Sequence, residues 1–282
     1  LSIYRLDMSN VYSDQFNVAF NAGFVTSFVE ALTSYTLPLV NGAQNISSTI
    51  SDNGLDGLTT KSSLGNTGVY NRAQTIVEAG NRGLSTINEF NKINILAKGN
   101  GITAAFQEIL AHGNTLNSRI ADLELEMLNV YGSTAGPTGS SRGDLHNMEP
   151  NEVVTFFSIW REFNQTLVES SNDFTNKINL HTNAYIGSTG RASGPYKSIK
   201  KIADDQNKVG KSASKLADFI EQNKNVITKN GVALPSPPTA TQFNAALALY
   251  DGVTNAIGVT LVGDYKTFGT NLGVTTAWDQ VF

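Results

Sequence analysis

Between Ile102 and Val130, apolar residues recur at alternating steps of four and three: Ile102, Phe106, Ile109, Gly113, Leu116, Ile120, Leu123, Met127 and Val130. Only Gly113 departs from large side chains. This spacing draws one apolar seam along one side of a helix and suits left-handed helix packing. At about 1.5 Å per residue such a helix is roughly 43 Å long. A short partner cannot cover a seam of that length, so other long helices must lie along it.

The rest of the chain supplies them. A first helix is predicted from about Tyr12, with Ser13 or Asp14 as its cap and the row Phe16, Phe20, Phe24, Phe28 and Leu32 as its face. Pro38 is expected to kink or end it. Residues 52–68 read as a Gly/Asn/Ser/Thr loop. A second helix covers Val69 to Lys98, with Gly80 and Gly83 marking close helix–helix approach, and Lys98–Gly101 is a short turn. After the seam helix, residues 132–147 form a second polar loop. A fourth helix starts at Pro150, with Glu149 and Glu152 suited to the positive helix end, and stops before Gly187. A fifth follows the glycine-rich stretch 187–195 and ends at Asn230-Gly231. Lys200–Asp204, Lys201–Asp205 and Asp204–Lys208 are i,i+4 pairs on its outer face. The last helix starts near Thr239 or Thr241, and Gly252, Gly258 and Gly263 weaken it. The expected fold is an all-α, elongated bundle of five or six long, mostly antiparallel helices with coiled-coil-like seams. It is read as one domain over 1–282, with a possible division into 1–131 and 148–282.

Chemistry is sparse. There is no cysteine, which removes disulfides, thiolate metal sites and cysteine nucleophiles. His112, His146 and His181 match no zinc spacing. Gly190–Ser198 lacks Walker spacing, because Tyr196 stands directly before Lys197. Asp122, Glu124 and Glu126 diverge around a helix and read as solvated acids. The lysines between 197 and 215 are interleaved with acids, which argues against a nucleic-acid stripe. Arg142-Gly143-Asp144 is an adhesion-type tripeptide of little specificity. These observations point away from an enzyme, a metal, a cofactor and nucleic acid.

Charged residues make up 16% of the chain, against roughly 25% in a typical soluble domain, and Ser, Thr and Asn take their place. The chain opens on Leu1, compatible with a removed leader or with trimming. Asn45 and Asn164 head glycosylation tripeptides. Together these suggest an extracellular or cell-surface protein.

Charge is scarcest at the two ends. Residues 16–51 carry only Glu30, and residues 230–265 only Asp251 and Asp264. Such helices are buried all round, or cover one another between subunits, or enter lipid. Self-association is the leading expectation, as in a coat, wall or filament subunit. Phe16, Phe20, Phe24, Phe28, Leu247, Tyr250, Ile257 and Leu261 are the candidate assembly or membrane face. The alternatives are a carrier holding an apolar ligand or lipid in gaps at Gly80, Gly113, Ser170 and Ala213, and a helical pore-former.

Overall fold

The computed structural model describes the backbone of residues 8–59, 68–92, 101–132, 145, 148–189, 194–229, 232–233 and 238–271. The chain is an all-α bundle. Its helices are α1 (Met8–Asp52), α2 (Val69–Asn91), α3 (Gly101–Tyr131), α4 (Pro150–Thr189), α5 (Gly194–Ile227), α6 (Ala240–Asn255) and α7 (Val262–Asn271). A π-helical turn, Ala256–Leu261, joins α6 to α7 as one limb. The only sheet among the described residues is a hairpin of two two-residue strands, β1 (Thr228–Lys229) and β2 (Val232–Ala233).

The packing closes a ring. In spatial order α2 lies on α1, α1 on α4, α4 on α5, α5 on the α6–α7 limb, that limb on α3, and α3 back on α2. Near Ser27–Thr36, α1 leans inward: Ser27, Phe28, Val29, Ala31, Leu32, Tyr35 and Thr36 are all buried, and Glu30, the one charged residue there, faces out. Phe28 meets Phe106 of α3, Phe174 of α4, and Tyr265 and Phe268 of α7 at centroid distances of 5.4–5.9 Å. Edge-on and tilted geometries of this kind add to the gain from burying the rings. A second aromatic cluster, Tyr131, Phe156, Phe157 and Trp160, lies toward the C-terminal end of α3.

The seam helix lies as its spacing requires. Phe106, Ile109, Gly113, Leu116, Ile120, Leu123, Met127 and Val130 are all buried. The glycines in the seams are contact points. A Cβ at Gly80 would overlap the Val40 side chain, and one at Gly113 would stand 3.2 Å from Tyr265 and 3.4 Å from Leu32.

Several boundaries differ from expectation. α1 does not end at Pro38 but continues to Asp52. A proline in a helix interior costs about 3 kcal/mol. Here Tyr35, Leu39, Ala43, Ile46 and Ile50 are fully or almost fully buried on either side of it, and that burial outweighs the cost. α4 continues past Gly187 to Thr189, and α5 begins at Gly194, so much of the supposed 187–195 loop is helical. In the 52–68 loop, Gly54 adopts φ +61°, a short 3-10 turn follows, and Leu55 and Leu58 pin the segment to the core. Lys98–Asn100 of the expected turn and most of 132–147 lie outside the described residues, and Gly101 is the first residue of α3. Thr239 caps α6 through a reciprocal bond pair with Gln242.

Candidate functional site

The interior of the ring is polar between its two aromatic clusters. α3 carries the apolar seam and, one residue along, a second row: Asn114, Asn117 and Glu124, each at most 1% exposed. Because the helix is covered on more than one side, this row faces inward as well. Tyr35 of α1 donates its hydroxyl proton to Asn117 Oδ1 at 2.9 Å. Gln206 of α5 donates to Ser171 Oγ of α4 at 2.9 Å and lies within hydrogen-bonding reach of Tyr35. Toward the other end, α3 and α4 meet across the ring where Trp160 Nε1 donates to Glu124 Oε2 at 3.1 Å.

Glu124 is the most unusual group here. It is fully buried, and burial pushes its carboxyl up to about 7, partly opposed by hydrogen bonds from Trp160 and Asn164. No cation pairs with it among the ion pairs of the described residues. Its Oε1, with Asn117 Nδ2, Asn164 Oδ1 and Gln206 Oε1, lies buried without a protein hydrogen-bond partner. Burial also raises the Tyr35, Tyr131 and Tyr265 hydroxyls well above the ordinary tyrosine range. These groups therefore stay neutral, and the interior holds its polarity without charge once Glu124 is protonated.

A charged cluster closes the ring between α5 and α7. Lys201 Nζ bridges Asp205 and Asp264, each at 2.7 Å, and Lys208 holds the other oxygen of Asp205 at 2.6 Å. Hydrogen bonds with Asp264 and then with both lysines keep Asp205 well below the usual carboxylate range despite its burial, and desolvation together with Asp205 raises Asp264 to about 6.

Sequence reading placed these residues only in part. Lys200–Asp204 forms at 3.0 Å as expected. Lys208, however, turns to Asp205 instead of Asp204, and Asp205 is buried at 2% exposure, not on an outer face. Glu124 and Glu126 were read as solvated and are buried, whereas Asp122 is half-exposed and holds Arg72 and Arg119. Burial of the first two follows from a second and third helix covering α3, which a single seam does not reveal. Glu152 serves its helix end: its carboxylate accepts from the Glu149 and Gly57 backbone amides.

The candidate assembly face is split by the fold. Phe28, Ile257 and Leu261 are fully buried in the chain's own core, so they cannot meet a partner; Leu247 and Tyr250 are half-buried. The surroundings of Phe16, Phe20 and Phe24 lie outside the described residues. Asn45 is exposed, whereas Asn164 is buried with its amide donating to the Trp160 carbonyl at 3.0 Å, which leaves no room for a glycan there. Two of the four gaps proposed for an apolar ligand are narrow: Val40 stands against Gly80, and Tyr265 and Leu32 against Gly113, with a cavity of about 10 Å³ left beside them. His146, Arg142-Gly143-Asp144 and the side chain of His181 lie outside the described residues.

What the inner face of the α6–α7 limb buries, its outer face does not match. Ala240–Phe268 has a mean hydropathy of 1.4 over its most apolar 18-residue stretch, yet only 22% of that stretch is buried. Ala248, Asn255, Val259 and Gly263 are exposed, Val259 at 72%. Nothing stands within 4 Å of a Cβ placed at Gly258 or Gly263. By length and composition this limb is long and apolar enough to cross a membrane.

Compared with known proteins, the chain matches no family model, no curated protein and no solved structure.

Proposed function

We propose that this protein is a non-enzymatic extracellular or surface component that works by self-assembly, through the outer face of the α6–α7 limb. The supporting observation is the mismatch just described. An apolar helix in a soluble core is ordinarily mostly buried, and this one fully buries only 22% of its apolar stretch. Asp251 and the partly exposed Lys266 are the charges left there, because Asp264 is turned inward to Lys201. Small residues there allow a neighbouring surface to approach closely. A second copy covers such a face better than lipid does, since the limb offers anionic headgroups a single basic residue, Lys266.

Sedimentation of the native protein across a concentration series tests this. Ordered oligomers are expected, dispersed by Val259→Asp together with Ala248→Asp while the circular dichroism spectrum stays helical. A monodisperse monomer at high concentration overturns the proposal. Dye release from liposomes by the native protein replaces it with a membrane-active reading. The extracellular assignment is tested separately at Asn45, where endoglycosidase treatment of protein from its natural source should shift its mass.

A further inference from the structure

A groove of about 210 Å³ runs between α2 and α3, lined by Thr75, Glu78 and Arg82 from one helix and His112, Thr115 and Arg119 from the other, over a floor at Ala79. Its two arginines stand at opposite ends. A Cβ at Gly83 would stand 3.4 Å from His112, which sets Arg82 level with His112. Arg72 reaches Asp122 at 3.5 Å, which sets Thr75 and Arg119 together at the other end. The ends are two helical turns apart, about 10 Å of rise.

Arg119 is held in place: Asp122 Oδ2 accepts from it at 3.3 Å and from Arg72 at 3.5 Å, leaving the rest of the Arg119 fork free toward the groove. Arg82 donates Nε to the Glu78 carbonyl at 3.4 Å, and its terminal nitrogen makes a long pair with the Glu78 carboxylate, 3.7 Å, with both side chains about two-thirds exposed, so an incoming acid group competes readily for the fork. Between the arginines the groove offers acceptors. The Thr75 and Thr115 hydroxyls spend their protons on the Arg72 and Ala111 carbonyls, at 2.7 and 3.0 Å, and keep their lone pairs for a ligand. His112 is held below the ordinary histidine range by burial, with Arg82 adding to this and Glu108 opposing it, so its ring is neutral at pH 7 and also presents an acceptor.

We propose that this groove binds a small organic dianion whose two acid groups are separated by hydroxyl-bearing carbons. Each acid group takes one arginine fork, and the hydroxyls donate to Thr75, Thr115 and His112. Bidentate guanidinium pairing suits carboxylates and phosphates alike. The volume sits below that of drug-sized pockets and suits a metabolite-sized ligand.

Calorimetric titration of the full chain tests this, with tartrate and glucarate as the carboxylate arm and fructose 1,6-bisphosphate as the phosphate arm. Succinate, which has no hydroxyl, and inorganic phosphate, which cannot span the groove, are the controls. At least one hydroxylated dianion should bind, at least about tenfold more tightly than succinate or phosphate. Arg82→Gln and Arg119→Gln should each weaken that binding about tenfold or more, with unchanged thermal unfolding. Which arm binds assigns the acid group. Absence of binding by every dianion at about 10 mM, equal binding of inorganic phosphate, or affinity indifferent to both substitutions would overturn the proposal.

Discussion

Two single residues show how the interior is balanced. Glu124 titrates near 7 in the folded chain against 4.5 for a free glutamate. Its raised value means that the folded state binds a proton the unfolded state has already lost. The stability tied to that proton is present below about pH 4.5 and is lost as pH rises through 7. By pH 8 the buried charge costs on the order of 3 kcal/mol. Glu124→Gln should therefore raise the urea midpoint at pH 8 and leave it nearly unchanged at pH 4; equal effects at both would show that Glu124 is not buried as an acid. Gly80 tests packing instead. Gly80→Ala forces a methyl into Val40 and should cost about 1–3 kcal/mol. Adding Val40→Ala should relieve part of that cost in a double-mutant cycle. At Gly263, where space is open and the helix unstrained, Ala should instead stabilise the dilute protein by about 0.5–1 kcal/mol.

At the scale of elements, α7 depends on Lys201. One ammonium bridges two buried carboxylates, from α5 and α7, while its own side chain stays 58% exposed. Lys201→Met leaves Asp264 beside Asp205 without its cation. Hydrogen exchange should then accelerate in α7 before α2 or α4. Because Asp264 is already raised to about 6, the loss should be larger at pH 8 than at pH 5, where its proton removes the repulsion. A uniform rise in exchange over the whole chain would show that the tie is not local. α6 has its own anchor. Thr239→Ala removes the capping box and should cost about 1 kcal/mol.

For the whole molecule, ring closure ties the first half of the chain to the second. α1 lies on α4, and α3 on the α6–α7 limb; the central aromatic cluster draws Phe28 and Phe106 from one half and Phe174 and Phe268 from the other. A single cooperative unfolding transition should result, and 1–131 or 148–282 expressed alone should lack a sharp transition in near-UV circular dichroism. A transition retained by either half would establish a subdivision near residues 132–147.

Local pattern determined the helices. The seam of α3, the start of α4 at Pro150, the start of α6 near Thr239 and the close approach at Gly80 were all legible, because period, φ preference and side-chain size act within a few residues. Pro38 does not end α1, because distant burial overrides a local cost. The polar axis and the split of the candidate face were not legible. Phe28, Ile257 and Leu261 share a pattern with residues that face solvent, and Glu124 one with solvated acids. Periodicity tells which side of a helix is apolar, but not how many neighbours surround it. That number is set by the closing of the ring, and it decides which charge is buried, which glycosylation tripeptide is reachable and which apolar face is left for a partner.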